Sequence, residues 1–265
     1  GAWSKAAAKE ALRFGRVQSA FSGSGNRIPA DEELEVIPET SYCAYCDNET
    51  IHGIEFERVP VLKDAEAVPL VADMTSNFLT RPVDVNKFGL FYASAQKNLG
   101  IAGLAVIVLR RDLLGLAGTE VPTLLNYSVY SRTDSVPNTP PVFQLYVANL
   151  MAQHGGVAVM DEYARARAKI VYDAIDAMPE MYVSHVERES RSRVNAVFRL
   201  KDEALTALFV KEAAEAGLAN LAGHRAVGGI RASMYNAMPI EGVQKLADFM
   251  KTFAHRHGRT QLAVN

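Results

Sequence analysis

Apolar positions along the chain fall into two kinds of run. Short, nearly continuous ones at residues 41–46, 68–72, 88–96 and 101–109 have strand length, and their β-branched and aromatic content predicts buried strands. Longer stretches at residues 142–154, 158–177, 202–216 and 241–255 space their apolar residues at helical intervals. In the second of these Met160, Tyr163, Ala164, Ala168 and Val171 share a side; in the last, Val243, Leu246, Phe249, Met250 and Phe253 do. An alanine-rich run at residues 5–14, with Ser4 as N-cap, predicts a helix at the start. Only Lys97-Asn98-Leu99-Gly100 separates the third strand from the fourth, too little for a crossover helix, so that pair is predicted antiparallel. Residues 116–141 are polar, contain prolines and are only weakly periodic, which predicts a long excursion over the surface or onto a partner. From residue 192 the order is strand 194–200, helix 202–216, strand 230–234 and helix 241–255, which predicts a small α+β domain. Its boundary is placed on the long helix, dividing the chain into 1–160 and 161–265.

Composition narrows the class. With 265 residues, 49% hydrophobic and 22% charged, the chain has enough apolar material for a core and is not disordered or fibrous. A net charge of −2 gives no general attraction to nucleic acid or anionic membrane, so a small soluble ligand is the expected partner. No apolar run reaches the ~18 residues of a membrane span. The two cysteines, Cys43 and Cys46, are too few for a disulfide framework and suit a reducing cytoplasmic compartment. Their C-x-x-C spacing lacks the further ligands that zinc needs, and it stands on a strand rather than opening a helix as a thioredoxin-like site would. The glycines at 22–26 fit no phosphate-binding spacing and predict a flexible connection. His255, Arg256, His257 and Arg259 read as an exposed helix end, where cations are favoured.

Lys97 carries the most chemistry. It follows the apolar run Phe88-Gly-Leu-Phe-Tyr-Ala-Ser-Ala-Gln96, and a lysine at the mouth of a buried strand suits Schiff-base chemistry if desolvation lowers its pKa. The plain alternative is a strand-end lysine reaching water. Asp73 ends the run Val68-Pro-Leu-Val-Ala72 and is expected at the same sheet end, as a carboxylate able to keep a pyridinium nitrogen protonated or as the N-cap of the Thr75-Ser-Asn turn.

The stretch from Ala72-Asp-Met-Thr-Ser-Asn-Phe-Leu-Thr-Arg81 into Tyr92-Ala-Ser-Ala-Gln-Lys-Asn-Leu-Gly100 resembles the phosphoserine aminotransferase family, pyridoxal-phosphate enzymes of fold type I, class V. Asp47-Asn-Glu-Thr-Ile-His-Gly53, Pro137-Asn-Thr-Pro-Pro-Val-Phe143 and Gly223-His-Arg-Ala-Val-Gly-Gly-Ile-Arg-Ala-Ser233 agree in the same order. The resemblance implies an α/β large domain built on a mixed, mostly parallel sheet flanked by helices, with the small α+β domain at the C-terminus. It implies transfer of an amino group from glutamate to 3-phosphohydroxypyruvate, giving O-phosphoserine and 2-oxoglutarate in serine biosynthesis, and in some members use of 4-phosphohydroxythreonine in pyridoxine biosynthesis. A serine–pyruvate type class V transaminase and a non-catalytic fragment are the alternatives.

The same resemblance implies roles. Lys97 matches the lysine that links to the cofactor aldehyde and then moves a proton, and Asp73 the partner of the ring nitrogen. Trp3, the only tryptophan, matches the indole that stacks on the ring; without the family it reads as a core residue. Thr50 matches the ligand of the phenolic oxygen and Gln96 a phosphate ligand. Asn138 and Thr139 match a pair reaching the cofactor phosphate of the neighbouring subunit, which implies a homodimer. Arg231 matches the site of the substrate α-carboxylate, and His224 and Arg225 approach the substrate phosphate, unless they form a solvated basic turn. The family's chain begins well before its tryptophan, which here is residue 3. A glycine-rich phosphate turn, a substrate-binding histidine and arginine, and early strands are therefore expected to be missing, leaving exposed sheet edge and weak or no activity in this chain alone.

Overall fold

The structure, a computed structural model, describes residues 1–23, 25–37, 39–63 and 65–258. Ser24 of the glycine-rich connection and Arg259 of the terminal basic cluster lie outside the described residues. The first sheet holds β1 (Cys43–Cys46), β4 (Leu70–Asp73), β5 (Leu90–Ser94) and β6 (Ala105–Leu109), in that order. β1, β4 and β5 are parallel and β6 is antiparallel to β5, as the short separator requires. Between the first two lies a hairpin, β2 (Asn48–Glu49) with β3 (Ile54–Glu55), which the sequence pattern did not reveal. Leu62, Val68, Leu70, Ala72, Met74, Phe88 and Phe91 pack into the core of this part.

Helix α1 (Ala2–Ala11) lies against β1 and begins at Ala2 instead of Lys5, so Ser4 is inside the helix and does not cap it. Residues 116–141 are not structureless throughout, because α2 (Tyr127–Arg132) forms there, with the Asn126 side chain accepting from Ser128 N as its cap. Helices α3 (Val142–Ala152) and α4 (Gly156–Asp176) follow, and Ala148 of α3 packs on Ala95 and Leu99. Tyr163 of α4 faces water; the buried side runs instead through Met160, Ala164, Arg167, Ala168, Val171 and Ala174. Arg167 belongs there because it donates to the carbonyls of Asn236 and Met238.

The C-terminal part is an antiparallel sheet of β7 (Tyr182–Val183), β8 (Asn195–Leu200) and β9 (Ile230–Ser233), with α4, α5 (Thr206–Glu215) and α6 (Ile240–His257). Its centre is Phe209, which meets Tyr182, Phe198, Phe249 and Phe253 at centroid distances of 6.1, 6.2, 5.1 and 5.0 Å, all steeply inclined. Burying such rings is the main force holding this unit together, about 1.5–3 kcal/mol each.

The two parts meet through buried polar groups. Asn48 Nδ2 donates to Asn195 Oδ1 at 2.9 Å, and Ser192 Oγ donates to Asn48 Oδ1 at 2.6 Å. Beside them Arg193 binds Glu55 and Asp161, and Arg81 binds Asp47, each contact at 2.8 Å. Burial pushes the Asp47 carboxyl upward while the Arg81 charge opposes it. No helix among the described residues is long and apolar enough to cross a membrane.

Candidate active site

In a sheet of parallel strands, ligands gather at the carboxyl ends. Asp73 is the last residue of β4, in register with Cys46 of β1 and Tyr92 of β5. Its Oδ1 accepts from Thr75 N at 2.9 Å, so the capping role is realised, and Oδ2 is not spent on that bond. Burial pushes the Tyr92 phenol up, and the negative charge of Asp73 adds to the shift. β5 ends at Ser94, earlier than the apolar run suggests. Lys97 therefore stands one turn beyond the strand, half-buried, in a turn closed by Leu99 N and Gly100 N donating to Ala95 O at 3.2 and 2.8 Å. Gln96, beside it, is exposed.

Trp3 is 50% exposed and so is not a core tryptophan. Its position is fixed: Nε1 donates to Thr50 Oγ1 at 3.1 Å, and its backbone N donates to Glu49 Oε2 at 2.9 Å. Thr50, buried in the turn of the β2–β3 hairpin, thus accepts from the indole and keeps its own O–H to donate. The sequence reading missed Glu49 and His52, neighbours of Thr50 in that turn. Burial lowers the pKa of His52, Glu49 opposes this, and Lys5 and His224 add to it. His52 Nδ1 is buried with no hydrogen-bond partner among the described residues.

His224, whose charge bears on His52, belongs to the C-terminal part. It is half-buried, its carbonyl accepts from Val227 N and Gly228 N at 2.9 and 2.8 Å, and its Nδ1 accepts from Ala226 N at 3.2 Å. Arg225 is exposed. Arg231 lies on β9 opposite Val197, between buried Ile230 and Ala232, so it points to the same face as Ser233. Ser233 accepts from Asn195, which directs that face to the Asn48 seam. Asn138 and Thr139 are exposed between α2 and α3, and among the described residues no hydrogen bond joins them to Lys97 or Asp73.

Cys43 and Cys46 are both free, and burial pushes both thiols up, the second also under the charges of Asp73 and Glu49. Protonated thiols are neither metal ligands nor nucleophiles. Among the described residues no cluster of three or more His, Cys, Asp or Glu has the placement to hold a metal ion.

A model of the class V aminotransferase family matches residues 2–246. Phosphoserine aminotransferase of Chromobacterium violaceum is 45% identical over 97% of this chain and 73% of its own length. Among solved structures, phosphoserine aminotransferase from Bacillus circulans subsp. alkalophilus aligns with a TM-score of 0.91 at 39% identity, over 97% of this chain and 72% of that one. A pyridoxal-phosphate-bound phosphoserine aminotransferase from Trichomonas vaginalis aligns with a TM-score of 0.86 at 38% identity, over 95% of this chain and 73% of that one.

Proposed function

The chain belongs to the class V aminotransferases, and from that premise we propose that it moves the amino group of glutamate to 3-phosphohydroxypyruvate in serine biosynthesis, using pyridoxal phosphate held by Lys97. The reading rests on one observation. β4 and β5 are adjacent parallel strands whose carboxyl ends carry Asp73 and, one turn on, Lys97. The groups on these strand ends and the neighbouring hairpin fit such a cofactor: an amine, a carboxylate, an indole fixed by a hydroxyl, an exposed amide at Gln96, and a His52 Nδ1 without a partner among the described residues.

Pyridoxal phosphate, when bound, would supply an aldehyde for amino-group transfer and a ring able to act as an electron sink. Lys97 Nζ is the covalent anchor and the base that takes the proton from that Cα. Asp73 holds the ring nitrogen protonated, with its carboxylate oriented by Thr75 N. Trp3 offers a flat face whose position Thr50 fixes, and the remaining Thr50 O–H is available to the phenolic oxygen. Gln96 meets the cofactor phosphate. Arg231 takes the substrate α-carboxylate as a planar fork, while His224 and Arg225 take the substrate phosphate and so select phosphorylated keto acids.

Asn138 and Thr139 act at the cofactor phosphate of a second copy of this chain, an assignment supported by their exposure. The free thiols support a reducing, cytoplasmic setting. The residue division 1–160 and 161–265 is supported by the C-terminal core, whose first member on α4 is Ala168.

The test is an absorbance spectrum of the purified protein with added pyridoxal phosphate, followed by turnover with phosphorylated and unphosphorylated keto acids. A pH-dependent band that Lys97→Ala removes, with preference for the phosphorylated acid, is expected. Spectra unchanged by Lys97→Ala, or preference for the unphosphorylated acid, overturn the reading.

A further inference from the structure

Lys97 is only half-buried, and no hydrogen bond of its own side chain holds it among the described residues. What fixes its turn is the next residue. Asn98 is 3% exposed and spends its amide in two directions. Its Nδ2 donates to the carbonyl of Ser76 at 2.8 Å, in the turn that Asp73 opens. Its Oδ1 accepts from the backbone N of Asn236 at 3.1 Å, in the C-terminal part. Both ends are themselves anchored. Ser76 Oγ donates to the carbonyl of Asn48 and accepts from Asn48 Nδ2, both at 2.8 Å. Asn236 donates to the carbonyl of Leu79 at 3.1 Å, and its own carbonyl accepts from the buried Arg167 at 3.2 Å.

We propose that Asn98 is a positioning residue for Lys97, clamping the lysine's turn between the Asp73 turn and the C-terminal part. A buried primary amide is suited to this: it offers a donor and an acceptor on one rigid plane, so the two neighbours are spaced by its geometry. Since the amine and the carboxylate of Asp73 act on one ring, an error in the spacing of their two turns is an error in reaction geometry, and a misplacement near 1 Å costs about 10²-fold in rate. Asn98 touches neither substrate nor cofactor in this account; it acts through Lys97. The inference rests on the reading of Lys97 as the cofactor lysine.

The experiment is a spectral pH titration of the protein with pyridoxal phosphate bound, comparing wild type with Asn98→Ala and Asn98→Leu, the second of which keeps volume without hydrogen bonds. Lys97→Ala tests the underlying reading, and Phe253→Leu, in the distant aromatic core, controls for lost stability. Both Asn98 variants are expected to shift the titration midpoint by about half a pH unit or more, and to lower kcat about 10- to 100-fold with little change in KM. Phe253→Leu is expected to lower the thermal midpoint without moving the titration. A band removed by Lys97→Ala but unmoved in both Asn98 variants overturns the inference and leaves the reading intact. An equal shift in Phe253→Leu overturns it too, and absence of any Lys97-dependent band overturns both. Amide exchange at Asn236 N–H in the wild-type protein provides a second measurement independent of how the variants fold. Protection there supports the clamp, and exchange at the rate of an exposed amide overturns it.

Discussion

At the scale of single residues, charge placement decides more than burial does. Asp73→Asn keeps the size and the acceptor for Thr75 N but removes the charge that would hold a ring nitrogen protonated. It is expected to lower kcat by about 10²–10³-fold while the thermal midpoint stays near wild type; kcat within twofold of wild type would refute the role. Asp176 offers a test of a different kind. Arg191 donates to both of its oxygens at 2.8 and 2.9 Å and holds its carboxyl below the usual range, burial opposing and Arg188 assisting. Because the folded-state pKa lies below the ordinary value of 3.8, the pair stabilises fully above that pH and loses its contribution as pH falls through the lower folded value. Asp176→Asn should therefore lower stability by about 1 kcal/mol at neutral pH, with the gap to wild type closing in denaturation curves taken well below pH 3.8. The placement of Asp73 and Lys97 at one end of the sheet was legible because each follows an apolar run, while the roles proposed for them came from the family resemblance. Glu49 and His52 were not, since nothing local marks a two-residue strand or a half-buried turn.

At the scale of elements, what the sequence conveyed depended on length. The antiparallel join of β5 and β6 followed from four intervening residues, whereas the β2–β3 hairpin escaped because its strands are two residues each, Asn48–Glu49 and Ile54–Glu55, and mostly polar. Helix α4 was readable in extent but not in orientation: Tyr163 fits the apolar stripe by type, yet Arg167 takes the buried place because carbonyls of residues 236 and 238 await it. The loop ahead of β9 carries His224 and Arg225, and Gly223 is where it folds back on itself. A Cβ there would collide with the carbonyl oxygen of Gly228. Gly223→Ala is thus expected to displace that loop and raise KM for the phosphorylated keto acid about 10-fold or more with a smaller change in kcat. An unchanged KM would separate the loop from phosphate recognition.

At the scale of the whole molecule, the C-terminal part is closed around its aromatic core, but the surface around α2 and α3 is not. Leu125, Val142, Phe143 and Tyr146 are 67%, 68%, 65% and 57% exposed, and the last three follow Asn138 and Thr139 closely along the chain. An apolar face of this kind is normally covered, and the covering surface proposed is a second copy of the chain. Phe143→Ser with Tyr146→Ser is expected to convert a dimer to monomer at micromolar concentration in analytical ultracentrifugation, with the fold retained. A wild-type protein monomeric at high concentration would refute the assignment. The sheet was legible as strands and the C-terminal part as alternating strands and helices, but their joint was not, because a seam of asparagine and serine has no hydrophobic period.

That seam also sets a schedule. Asn48 and its partner Asn195 lie 147 residues apart, and Asn48 and Ser192 lie 144 apart. A ribosome adding about 5–20 residues per second takes roughly 7–30 seconds to cover that interval. Throughout it the Asn48 amide, in the hairpin that bears Thr50, has Ser76 as a partner but not yet Asn195 or Ser192. The β2–β3 hairpin beside Thr50 is therefore completed by residues made long after it, and its seam to the C-terminal part closes only then.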